Sequence, residues 1–180
     1  MAKKIVVLLA DGFEETEAIV PADVWRRVGF EVVLVGVDSL KVRGGHDIYV
    51  EAECLLSEVK VDQIDCLFLP GGIPGATNLK SNADVLSLIR SVNSTGIVSA
   101  LCAAPIALAE AGIIANKSIT CYPGFEDQLG KIKYTGSLTE VDGNIITGKG
   151  PGAVFEFAKQ VAIALNKESE VIKILKGMIV

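Results

Sequence analysis

Apolar residues along this chain fall in short unbroken runs separated by amphipathic stretches, and that alternation sets the first expectations. Residues 5–9 (IVVLL), Glu31–Gly36, Cys66–Leu69 and Ile97–Leu101 are runs rich in Val, Ile and Leu. Unbroken runs of this kind mark parallel strands buried on both faces, whereas a half-solvated antiparallel strand alternates apolar with polar residues. After the first run, Glu14, Glu15 and Glu17 place acids in the opening turn of a helix, where its dipole favours them. Ile19, Val24, Trp25 and Val28 supply that helix's apolar face, with Trp25 and Val28 available to the core or to a dimer interface, and Gly29 closes it. Pro21 lies inside it and predicts a kink or a restart, because proline has no N–H to donate. Residues 82–92 read as an amphipathic helix with Val85, Leu86, Ile89 and Val92 on one face, and 153–165 and 168–176 as two more. Residues 40–50 read as two short strands around Arg43-Gly44-Gly45-His46-Asp47, a hairpin expected at the sheet's edge. Residues 118–121 read as a short strand, and 134–147 as an antiparallel pair turned at Asp142-Gly143-Asn144.

Strands alternating with helices predict an α/β fold, a doubly wound sandwich with a mostly parallel central sheet. The 180 residues are enough for one sizeable core and few for two, so residues 1–180 are expected to form a single domain. Such sheets collect ligands at the carboxyl ends of their strands. The acids at 14–17, the Gly71-Gly72 pair and Cys102 each follow a strand, so all three are expected on one rim.

Composition narrows the chemistry. Half of the residues are hydrophobic and mean hydropathy is +0.46, which suits a sheet covered on both faces. The net charge of −5, with no basic cluster beyond Lys3-Lys4 and Arg26-Arg27, points away from nucleic acid and toward small molecules or proteins. Four widely spaced cysteines and one histidine, His46, fit neither a zinc site nor a disulfide scaffold, so no metal is expected. The apolar run after Lys3-Lys4 ends at Asp11, too short for a signal peptide, and Pro105 and Glu110 argue against a membrane span at 97–115. A cytoplasmic location is the expectation.

The stretch that carries chemistry is 97–112 (IVSALCAAPIALAEAG), in which a buried strand ends at Cys102 and an alanine-rich helix follows. A thiol at that turn faces unpaired helix N–H groups, which favour the thiolate. Taken alone, Cys102 reads more readily as a small buried hydrophobe, and its position at the turn reverses that reading. A nucleotide loop fails on detail: residues 10–14 (ADGFE) lack the three-glycine fingerprint and carry acids that would repel a pyrophosphate. A Cys–His hydrolase has the strand–Cys–helix turn of a nucleophile elbow, but its base would have to be His46, which reads as a polar hairpin residue. The third arrangement pairs Cys102 with a carboxyl group. If Glu17 points from its helix toward the sulfur, burial raises its pKa and keeps it protonated, while Glu14 and Glu15 read as solvated members of the acidic turn. Backbone N–H groups of Gly72 and Ala103 would then form an oxyanion hole suited to attack on a reactive carbonyl.

Four segments, ADGFEETEA, LPGGIPGATNL, ALCAAPIAL and GKGPGAVFEFA, together resemble the DJ-one/ThiJ/PfpI superfamily, in the same order and at similar spacing. The nearest likeness is to the branch of the human parkinsonism-associated protein and bacterial ThiJ-type relatives. The resemblance implies a flavodoxin-like homodimer with a reactive cysteine at the elbow and no cofactor. Motif by motif, it places the protonated glutamate on Glu17, the nucleophile on Cys102, and the oxyanion-hole donors on Gly72 and Ala103. Gly71, Tyr122 and Pro151 of the Gly150-Pro151-Gly152 loop fall near the site. The implied activities are glutathione-independent conversion of α-oxoaldehydes such as methylglyoxal and glyoxal, or of their protein adducts, with redox sensing or chaperone behaviour through Cys102 as the non-enzymatic alternative. Two departures stand out: the peptidase-like branch has His where this chain has Ala103, and close relatives often have His where it has Tyr122. Where relatives often carry an arginine reaching the partner's site, this chain offers Arg43 and His46.

Overall fold

The carboxyl end of the sheet is where the fold gathers its unusual residues, and the order of the strands explains why. The computed structural model describes residues 2–180. β1 (Lys4–Leu9) leads through a turn into α1 (Glu15–Val28), which returns the chain to β2 (Glu31–Gly36), completing a parallel βαβ unit. β3 (Lys41–Arg43) and β4 (Tyr49–Glu51) form the expected hairpin, followed by the short β5 (Cys54–Leu55). β6 (Cys66–Leu69) precedes two consecutive helices, α2 (Gly75–Ser81) and α3 (Ala83–Asn93). Asn82 separates the helices and caps α3, its side chain accepting from the N–H groups of Asp84 and Val85. β7 (Ile97–Leu101) leads to the short α4 (Pro105–Glu110). β8 (Ser118–Ile119) and β9 (Lys133–Tyr134) pair in a small ribbon, β10 (Thr139–Asp142) and β11 (Ile145–Gly148) form the antiparallel pair, and α5 (Val154–Ala164) and α6 (Glu168–Gly177) complete the chain.

The main sheet runs β10-β11-β7-β6-β1-β2-β5, parallel throughout except for β10 against β11. Its central strands are buried on both sides, as their unbroken apolar runs require. One face packs under α1, α5 and α6, the other under α2, α3 and α4. Alternation along β6 divides the strand between them: Cys66 and Phe68 enter the first layer, Leu67 and Leu69 the second. The first layer centres on three aromatic rings. Trp25 meets Phe68 edge-on at 5.3 Å, Phe157 lies 5.1 Å from Phe68, and the indole N–H donates to the carbonyl of Ala158 at 3.0 Å.

Three expectations change, and one alternative left open is decided. The hairpin does not sit on the main sheet's edge, which β5 occupies beside β2; it is a separate ribbon lying over the β1–α1 turn. Backbone bonds hold it there, from Gly12 N–H to Arg43 and from Gly45 N–H to Phe13. α1 neither restarts nor breaks at Pro21, because Ala18, Pro21, Ala22 and Trp25 are buried together and that packing outweighs one missing hydrogen bond. Trp25 and Val28 belong to this core and leave no side chain for an interface. Tyr134 lies in the β8–β9 ribbon, and the antiparallel pair starts only at Thr139.

Trp25→Ala is expected to cost about 3–5 kcal/mol, since it empties the centre of the aromatic layer. Urea denaturation measures it, and a loss below about 1 kcal/mol would show that α5 and the sheet close over the gap.

Candidate active site

β1, β6 and β7 are neighbours in the sheet, so the loops that leave their carboxyl ends meet. The first turn of α1 brings Glu17, the loop after β6 brings Gly71 and Gly72, and the turn after β7 brings Cys102. Cys102 adopts φ +58°, a left-handed conformation uncommon for a residue with a side chain. Backbone bonds on both sides hold it there: its N–H donates to Gly148 and its carbonyl accepts from Tyr122, each at 2.9 Å. This is the strained strand-to-helix elbow that lifts a nucleophile out of a sheet.

Glu17 is completely buried. Its Oε2 accepts the Gly71 N–H at 2.7 Å, while Oε1 has no hydrogen-bond partner among the described residues. The Cys102 thiol lies close enough to this carboxyl to bear on its titration. Gly71 is pressed between the two: a β-carbon there would lie 2.6 Å from the Cys102 Cβ and 2.7 Å from Oε2. Gly72, at φ +88°, takes a turn that any side chain would strain, and its N–H and that of Ala103 both point at the sulfur.

The electrostatics follow from burial. Desolvation lifts the Glu17 carboxyl to about 7, against the Gly71 N–H and the thiol, with a further small push from the Glu14 charge. Burial also drives the Cys102 thiol upward, and the Glu17 carboxylate adds to it, while the Gly72 and Ala103 N–H groups pull the other way. A thiol acidified by a helix end alone is therefore not what the fold provides. α4 does not begin until Pro105 and is six residues long, too short and too distant to outweigh desolvation. The two groups instead titrate as a pair, and above about pH 7 they hold one proton between them. Thiolate forms in that state when the proton sits on Glu17.

The remaining candidates separate into those beside the pair and those away from it. Tyr122 is half-exposed next to the elbow, and Pro151 follows Gly150, against which the Tyr122 ring packs. Arg43 and His46 lie on the hairpin, where the Arg43 guanidinium pairs with Asp47 and His46 Nδ1 lies 2.8 Å from Glu15 Oε2. A Cys–His hydrolase therefore loses its base, because the only imidazole is engaged by a carboxylate of its own. Glu15 is the clearest miss of the sequence reading. Expected in solvent, it is 7% exposed and accepts from the backbone N–H groups of His46 and Ile48, because the hairpin folds over the first turn of α1. Burial works against its charge, yet the bonds from His46 and Ile48 hold its pKa below the ordinary carboxylate value. Glu14 is also partly covered. The donors of Glu14, Glu15 and His46 lie within 4.8 Å of one another, a spacing a metal would accept, but Glu15 and His46 already satisfy each other. The signal for this arrangement was Gly44, whose bare backbone lets the Glu15 carboxyl lie against it.

Comparison with known proteins matches residues 3–164 to the family model described as DJ-1/PfpI family. The chain is 38% identical over 184 residues to Protein dj-1beta of Drosophila melanogaster, covering 100% of this chain and 98% of that one. The crystal structure of that fly protein superposes with a TM-score of 0.96 at 37% identity, over 100% of this chain and 99% of the other. A Danio rerio protein named Parkinson disease protein 7 homolog is 35% identical, covering 87% and 86% of the two chains. A Caenorhabditis elegans protein named glutathione-independent glyoxalase DJR-1.2 is 31% identical, covering 97% and 94%.

Two measurements test the shared proton. Alkylation of Cys102 by iodoacetamide is expected to rise only well above the ordinary thiol value of about 8.5, and Glu17→Gln, which removes a carboxylate that holds the thiol up, to move that rise to lower pH; equal midpoints would refute the coupling. Because Glu17 takes up its proton at higher pH when folded than when unfolded, its burial costs nothing below about pH 4.5. The cost grows as pH rises and is complete above about 7. Glu17→Gln should therefore stabilise the protein at pH 8 by up to about 3 kcal/mol, a gap that closes by pH 4 in urea melts.

Proposed function

This chain belongs to the DJ-1/PfpI family, and from that premise we propose that it is a cysteine-dependent glyoxalase acting on α-oxoaldehydes or on their adducts with proteins. The observation that carries this reading is the buried Glu17 carboxyl, its pKa raised to about 7, lying beside Cys102 at the elbow with the Gly72 and Ala103 N–H groups near the sulfur. A relative whose name is glutathione-independent glyoxalase supports it. The reaction needs an acid, a nucleophile and a place for an oxyanion, which is the set assembled here.

The Cys102 thiolate adds to the aldehyde carbon, forming a C–S bond as the carbonyl electrons move to oxygen. The Gly72 and Ala103 N–H groups hold that oxygen, and Glu17 delivers its proton to it, leaving a hemithioacetal. Glu17, now a carboxylate, removes the proton from the former aldehyde carbon, giving an enediolate, and returns it to the neighbouring carbon, while the hydroxyl proton on the first oxygen passes to the second. The first carbon is thereby oxidised to a thioester and the second reduced to an alcohol. Water cleaves the C–S bond, releasing a 2-hydroxy acid and restoring the pair. Oxidation and reduction balance within the substrate, so the scheme asks for no external redox partner. Tyr122 takes no proton in it, since a phenol of ordinary pKa near 10 is a poor base near neutrality. Glu17 serves as both acid and base.

Incubation with methylglyoxal in the absence of glutathione is expected to yield lactate. Cys102→Ser should reduce turnover to the uncatalysed rate, and Glu17→Gln should lower kcat by about 10²-fold or more. Lactate production undiminished in Cys102→Ser would sink the assignment.

A further inference from the structure

The turn between β1 and α1 carries an acid that the chemistry above leaves unused. Glu14 precedes Glu17 by three residues, which places both on one side of the first turn of α1. Its backbone is built into the site. The Glu14 N–H donates to the Gly71 carbonyl at 2.9 Å, and a β-carbon on Gly72 would lie 2.4 Å from the same nitrogen. Its side chain, 19% exposed, makes no capping bond to α1, and its one cationic neighbour among the described residues is His46 Nδ1, at 3.8 Å. That imidazole lies closer to Glu15, at 2.8 Å, and the Arg43 guanidinium is taken by Asp47. The hairpin therefore delivers its two cations already matched by carboxylates, and Asp11, which accepts the Arg43 N–H, adds a further acid to the turn. The positive end of α1 does not reverse the balance, because Glu14 and Glu15 stand on it. The Glu14 charge reaches the reacting groups: it bears on Glu17, on which no cation bears among the described residues.

We propose that Glu14 sets a charge preference at Cys102, so that the site admits neutral and cationic aldehydes and excludes those carrying a carboxylate or phosphate group. The inference rests on the glyoxalase reading for its substrates and adds their charge class. The oxyanion formed at the aldehyde carbon is matched by the Gly72 and Ala103 N–H groups. A second negative charge on the substrate has no such match. It approaches Glu14 in a partly desolvated rim, where like charges repel far more strongly than in water, and the cations of the hairpin are already engaged. A cationic group in the same place offsets the Glu14 charge. The bond-making steps are unchanged, and Glu14 takes no proton in them.

Labelling of Cys102 reads this preference without turnover. Two methanethiosulfonates of similar size, the 2-(trimethylammonio)ethyl and 2-sulfonatoethyl reagents, transfer a cationic or an anionic arm to the sulfur as a mixed disulfide and release methanesulfinate. Rates at Cys102 are followed at pH 8 by peptide mass, and each is divided by the rate with a neutral small thiol to remove intrinsic reactivity. The wild type is expected to favour the cationic reagent at least about ten-fold at low salt, and Glu14→Gln to lower that preference at least about three-fold. Salt at 1 M, with a Debye length of about 3 Å, should shrink the wild-type preference. The Glu17 charge is common to both proteins and cancels in the comparison. Glu14 makes no side-chain capping bond, so the substitution spares α1, which circular dichroism checks. Equal ratios in the two proteins, or a wild-type preference for the anion, overturn the role of Glu14 and leave the glyoxalase reading standing. Methylglyoxal turnover is measured on the same preparations. Its absence in the wild type overturns the glyoxalase reading and the aldehyde substrates with it, while the labelling ratios still decide whether Glu14 discriminates charge.

Discussion

Placing a carboxyl group where water cannot reach it is costly, and much of the architecture around the rim exists to make Glu17 tolerable there. One oxygen is satisfied by the Gly71 N–H; the other has no hydrogen-bond partner among the described residues, with Cys102 close by. The contact works only because Gly71 has no side chain to separate the two groups, and because the elbow backbone turns Cys102 into a left-handed conformation that aims it at the carboxyl. Strain in the backbone, a glycine in the gap and an incompletely satisfied acid are thus one arrangement. Loosening any of them changes how far each group is desolvated, and with it the pKa of both.

A single helical turn illustrates how far burial can separate chemically identical residues. Glu15 and Glu17 are two positions apart, so they leave α1 in different directions. Glu17 enters the sheet rim, where one amide cannot offset desolvation and the carboxyl stays protonated up to about pH 7. Glu15 meets the hairpin, where two backbone N–H groups and an imidazole more than offset the same penalty and keep it ionised. One residue becomes an acid and the other an anchor. The anchor holds β3 and β4 over the β1–α1 turn, and so bears on the position of the acid two residues along.

The order of chemistry-bearing loops was legible in the sequence because the parallel strands are unbroken apolar runs and each loop follows one of them. Pairing Cys102 with Glu17 could be reasoned from that placement, since adjacent strands in a doubly wound sheet deliver their loops to the same rim. The hairpin's place was not legible. Short strands such as Lys41–Arg43 carry too little pattern to say which sheet they join, and backbone bonds from Gly12 N–H to Arg43 and from Gly45 N–H to Phe13 decided it. The burial of Glu15 depended on that placement and was hidden with it.

By itself, the sequence determined the α/β architecture, the strand-to-helix turn at Cys102 and the membership that four ordered motifs imply, because local periodicity and turn chemistry specify elements and their succession. Only the tertiary structure decided the protonation of the site. Whether a carboxyl is an acid or an ion depends on how much water is removed and how many N–H groups replace it, and those come from residues distant in the chain: Gly71 for Glu17, Gly72 and Ala103 for Cys102, His46 and Ile48 for Glu15. Desolvation is a property of the folded surroundings, and no stretch of sequence carries it.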